Sequence, residues 1–141
     1  MDGVRYFFWL ATMAMQLTVY FFPVALLILA GGISATVLFS SLPSDRRRHA
    51  LAGAVIQPAV PIAILLCGVM LRYDLTRGGP APKASSWLVE GLVLFHLLLT
   101  AALVGRLRGA RWFTFAVAVA VFPYSWAAAA ISVMSITGMW L

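Results

Sequence analysis

The sequence predicts an all-α integral membrane protein in which four transmembrane helices form one bundle after an N-terminal interfacial or tilted helical extension. Three observations predict it. Apolar residues make up 63% of the chain and charged residues only 10%, where a soluble domain carries roughly 25% charged residues. Such a chain cannot cover its surface with polar groups, so its outside must face lipid or partner proteins. The few charges are also segregated: long stretches with no charge, or in the third case with Glu90 alone, alternate with short basic segments. Finally, each of the last three stretches has the ~20 residues that one helical crossing requires.

The first charge-free stretch runs from Tyr6 to Ser44. As one straight helix it would be ~58 Å long, against a hydrocarbon core of ~30 Å. No turn signal divides it into two crossings. The reading is therefore an extension followed by a crossing over about residues 19–41. In the extension Arg5, Trp9, Thr12 and Gln16 recur at helical spacing as a weak polar stripe. Pro23 offers the kink point between the two.

The other crossings fall at about residues 50–71, 86–105 and 112–139. In the second, Gln57-Pro58-Ala59-Val60-Pro61 interrupts the helical hydrogen bonds, leaving the carbonyls of Ala54 and Gln57 without their usual donors. In the fourth, the alternation from Ala116 to Val121 imitates a strand. It lies in a continuous apolar run, and in lipid only a helix satisfies its own backbone. Small residues at Gly31-Gly32 and from Ala127 to Ala130, with Ser125, Ser132 and Ser135, permit close helix packing. The longest connection, Arg72 to Ser86, contains Gly78-Gly79-Pro80 and reads as a loop. The whole of 1–141 is then a single membrane domain.

Charge sets the expected orientation. Arg46, Arg47, Arg48 and His49 lie in one loop, and Arg106, Arg108 and Arg111 in another on the same side. Lys and Arg favour the cytoplasmic side, so both termini should face the other way. The same pattern argues against a nucleic-acid partner despite a net charge of +6. Asp2 and the long apolar run after it do not fit a secretory signal, so the N-terminus is expected to belong to the mature chain. Brevity and richness in Ala, Val and Arg point to a bacterial inner membrane.

Two titratable residues fall inside the predicted crossings, and an intramembrane ionisable group is a functional hypothesis by default. His96 lies mid-span in LVLFHLLLT, with Thr100 one turn on. A histidine there can bond a quinone carbonyl, ligate haem iron or relay a proton. The only other histidine, His49, sits at a span edge, so a bis-His haem would need a ligand from another subunit. Glu90, near the interface beside Trp87, is the candidate ion or proton site. It is also expected to pair with Arg72 or Lys83. His96 and Glu90 are six residues apart, which puts them ~9 Å apart along the helix and on different faces. The lone Cys67 excludes an internal disulfide, a CxxC redox pair and a four-thiolate metal site. It also excludes the paired thiols of quinone-linked disulfide-forming enzymes. The uncharged first span lacks the carboxylate of small multidrug exporters.

These readings favour a small non-catalytic accessory subunit of a larger membrane complex, such as a respiratory or electron-transfer assembly. Its expected partners are other integral membrane subunits and lipids. No cofactor of its own is expected. One alternative is a quinone- or haem-contacting subunit that uses His96, with the haem or quinone shared with a partner. The other is a small oligomeric transporter or channel in which Glu90 and the Pro-interrupted second span line the path.

Overall fold

The computed structural model describes residues 2–72 and 83–139. Among the described residues five helices follow one another: α1 (Gly3–Tyr20), α2 (Phe22–Ser41), α3 (Ser44–Met70), α4 (Lys83–Arg106) and α5 (Arg111–Thr137). Helices α2 to α5 are each long and apolar enough to cross a membrane, which marks the chain as an integral membrane protein. The Gly78-Gly79-Pro80 loop lies outside the described residues.

Helix α5 organises the bundle, touching each of the other four. Its sequence explains why. Buried Ala116, Ala118, Ala127 and Ala128 alternate along it with buried Thr114, Ser125, Ser132 and Ser135, so neighbouring backbones can approach on several sides. Two apolar cores form along its length. The larger joins Leu10 and Ala14 of α1, Ile64 and Leu65 of α3, Val89 of α4, and Ala128 and Ile131 of α5. The smaller, at the other end, joins Ala35 and Leu42 to Ala50, Ala110, Phe113 and Ala116. The alternating run from Ala116 to Val121 is helical throughout, as its length requires.

The N-terminal extension is a full helix packed within the bundle. Leu10 and Ala14 of α1 are completely buried, and α1 contacts α3 and α5. It therefore does not lie apart from the bundle as an interfacial helix would. Tyr6 reaches Ser135 near the end of α5, while Leu42 packs in the core that holds Ala110 before its start. The chain from Tyr6 to Leu42 covers ~54 Å of helix axis while accompanying only ~38 Å of α5. The two segments cannot both run straight alongside α5, and a bend takes up the difference. It falls at Phe21, the one non-helical residue between α1 and α2, with φ −87° and ψ 83°. The sequence placed the kink at Pro23. The break comes earlier because Pro23 sits in the first turn of α2, where its missing N–H costs no helical hydrogen bond.

Helix α3 departs from expectation twice. It begins at Ser44, not near residue 50, so the predicted loop of arginines is its first turns. Pro43 receives the amides of Arg46 and Arg47 and starts the helix. It also continues through Pro58 and Pro61 as one helix to Met70, so the second span is not broken there. On α4, Val89 and His96 are fully buried, whereas Leu88, Leu94, Phe95, Leu97 and Leu98 are exposed.

Two glycines set interhelical distances. A Cβ at Gly31 would lie 2.7 Å from the amide nitrogen of Ala120 and 2.8 Å from the carbonyl of Ala116, so α2 meets the backbone of α5 there. A Cβ at Gly68 would lie 2.7 Å from Ser132 Oγ, which marks a similar approach of α3 to α5.

Candidate functional site

The buried polar residues of the described chain are Thr18, Gln57, His96, Thr114, Ser125, Ser132 and Ser135. Four of them belong to α5, and each helps join it to a neighbour or to its own backbone. At one end, Ser135 Oγ donates to the Gly68 carbonyl at 2.8 Å. That uses its single hydrogen, so the Tyr6 hydroxyl, 2.7 Å away, must donate to Ser135. The chain Tyr6–Ser135–Gly68 thus links α1, α5 and α3, and the Arg72 guanidinium lies over the Tyr6 ring at 5.4 Å. Ser132 Oγ donates to the Ile64 carbonyl one turn away. Tyr6→Phe is expected to lower stability by about 0.6 kcal/mol, the usual worth of an interhelical hydrogen bond in lipid. Reversible unfolding in mixed micelles would measure it.

At the other end, Gln57 Nε2 donates to the Thr114 carbonyl at 3.2 Å, while the buried Gln57 Oε1 has no hydrogen-bond partner among the described residues. The sequence singled out Gln57 only for its place beside Pro58. Its side chain in fact bridges α3 and α5.

His96 occupies the middle level. It is fully buried, its Nδ1 lies 2.8 Å from Ser125 Oγ, and its ring packs at 5.7 Å from that of Phe122. The hydroxyl of Ser125 is also 3.3 Å from the Val121 carbonyl. Its one hydrogen serves either His96 or Val121. If it serves Val121, Nδ1 carries the imidazole proton and Nε2 is an acceptor. If it serves His96, Nε2 is a donor. In both cases Nε2 is buried with no hydrogen-bond partner among the described residues, and so is Thr100 Oγ1 one turn further along α4. Thr100 lines a hollow of about 320 Å³ between α2, α4 and α5, with Leu27, Leu97, Phe122 and Pro123 among its apolar walls. This level lies between the two cores, where residues 119–124 of α5 are half-buried.

His49 is exposed and lines a cavity with Arg106. It therefore stands ~15 Å from His96 along α4, so the two histidines do not converge. Glu90 lies on the exposed face of α4, outside the seam that holds His96. Among the described residues no three of the His, Cys, Asp and Glu side chains group as a metal site would require. Ser125, Ser132 and Ser135 were read from sequence as packing residues alone. Their spacings of seven and three residues were the available signal, since these place them on one face. Comparison with known protein families, curated proteins and solved structures finds no match to this chain.

Proposed function

We propose that the chain is a small non-catalytic subunit that packs against other integral membrane proteins in a larger complex, such as an electron-transfer assembly of a bacterial inner membrane. The observation that carries this reading is the uneven cover of its crossings. Only 6% of the most apolar stretch of α2 and 11% of that of α4 is buried by the chain itself, against 39% for α3 and 33% for α5. Helices α2 and α4 thus turn broad apolar faces outward, with Leu26, Leu29, Ile33 and Val37 on one and Leu94, Leu98 and Trp87 on the other. In this reading the basic end faces the cytoplasm, and α1 and α2 together form one bent crossing. Mild-detergent extraction of the tagged protein is expected to retain stoichiometric large membrane subunits. A lone, monodisperse chain with no partner would overturn the reading.

The unpartnered Nε2 of His96 favours one addition: within the complex, the seam around this fully buried ring opens and the nitrogen meets a haem or quinone shared with a partner. A donor nitrogen suits a quinone carbonyl, and an acceptor nitrogen suits iron. The retained complex should then show haem bands or bound quinone that His96→Ala removes. Unchanged pigment and quinone content in the variant would dismiss this role.

A further inference from the structure

The first turns of α3 and the connection between α4 and α5 meet at one end of the bundle, although about sixty residues separate them in the chain. Arg46 lies directly against Gly109: a Cβ there would sit 2.6 Å from a guanidinium nitrogen and 2.7 Å from Arg46 Cδ. Glycine at 109 leaves the space that this arginine fills. Two hollows open beside the contact. One, of about 350 Å³, is lined by Arg46, His49, Arg106 and Arg108. The other, of about 370 Å³, is lined by Arg46, Arg108, Arg111 and Trp112, with Leu38 on its apolar side. Arg46 and Arg108 belong to both.

Three features favour an anion at this end. The described acids are Asp2, Asp45 and Glu90, and only Asp45 belongs here, so the guanidinium groups greatly outnumber carboxylates. The N-terminus of α5 edges the second hollow, and Ala110 before it supplies no side-chain cap. Its first amides therefore lack partners within the helix and carry the positive end of the dipole. The arginines are also not equivalent. Arg47 is tied back to the carbonyls of Leu42 and Ser40 and lies over Phe39, and Arg48 lines neither hollow. Arg46 and Arg108 are the pair positioned to share a ligand, and guanidinium suits phosphate.

We propose that these hollows bind the phosphate of an anionic phospholipid, gripped by Arg46 and Arg108 with the N-terminus of α5 as a further donor. The neighbouring surface selects a lipid over free phosphate: exposed Trp112 and Phe115 and Leu38 give the acyl chains an apolar path beside the headgroup. The site depends on the membrane placement of the bundle but not on any partner or on His96.

The test is thermal unfolding of the purified protein in nonionic detergent, titrated with phosphatidylglycerol, phosphatidylcholine or inorganic phosphate. Phosphatidylglycerol alone is expected to raise the midpoint at micromolar concentration. Arg46→Gln and Arg108→Gln should each weaken its apparent affinity about tenfold, the loss of one charge-assisted hydrogen bond. Arg48→Gln removes the same charge outside the hollows and should change the affinity less than about twofold. Equal weakening by Arg48→Gln would overturn the proposal in favour of diffuse attraction. Equal stabilisation by phosphatidylcholine would overturn the role of charge. Reproduction of the shift by inorganic phosphate would overturn the lipid assignment and leave a site for a soluble anion.

Discussion

Gly31→Leu is expected to be the most damaging single substitution in the bundle, while Gly32→Leu, one residue away, should be nearly silent. A Cβ at Gly31 would already stand 2.7 Å from the Ala120 amide nitrogen and 2.8 Å from the Ala116 carbonyl, whereas one at Gly32 meets nothing within 4 Å. The obstacle at Gly31 is the backbone of α5, which cannot rotate aside as a side chain can. Either α2 moves off α5, or both helices bend. Overpacking of a well-filled core costs about 1–3 kcal/mol, and a rigid neighbour puts Gly31→Leu at or above the top of that range. Even Gly31→Ala should destabilise. Gly32→Ala should be neutral or stabilising by up to about 1 kcal/mol, because alanine is the better helix former. Unfolding midpoints of the four variants in the same detergent would decide. Similar midpoints for Gly31→Leu and Gly32→Leu would mean that α2 does not approach α5 as closely as described.

That pair also shows where sequence reasoning stops. Gly31 and Gly32 are both small, both flagged as packing residues, and adjacent. Which of them faces α5 depends on how α2 is rotated, and that is set by contacts with a helix almost ninety residues away. The crossings themselves were legible, because charge is costly in lipid and its absence marks a span. Helix ends were less so. A charge-free stretch ends where lipid ends, but a helix can continue into water, as α3 does when its first turns carry Arg46, Arg47 and Arg48. The break at Phe21 was announced only by Pro23 two residues on, which opens α2 and does not kink a continuous helix. His96 was legible as a buried polar residue because a titratable group in an apolar span needs a reason to be there. Its partner Ser125 was hidden among serines that look alike in the chain. The same holds for Arg46 against Gly109. Both pairings join segments distant in sequence, and only the assembled bundle brings them together.

Ser125→Ala is expected to destabilise the bundle by about 1–2 kcal/mol, and His96→Leu by less. The difference lies in what each change strands. His96 already has one nitrogen without a hydrogen-bond partner among the described residues, and Ser125 Oγ is the partner of the other at 2.8 Å. Removing the hydroxyl leaves a buried imidazole with neither nitrogen satisfied, and a buried polar group that loses its partner costs about 1–3 kcal/mol. Intramembrane hydrogen bonds measure toward the low end of that range. Replacing His96 by leucine instead removes both needs together, and Ser125 keeps the Val121 carbonyl as its acceptor. In the His96→Leu background Ser125→Ala should therefore cost almost nothing, giving a coupling of about 1–2 kcal/mol in a double-mutant cycle. The sign of the comparison is informative beyond the pair. If His96→Leu proves the more damaging change in the isolated protein, either leucine repacks poorly against Phe122 or a co-purifying molecule already satisfies Nε2, and mass spectrometry of the purified protein separates the two. If it is the milder change alone but the more damaging one in the extracted complex, the partner of Nε2 is supplied by the complex.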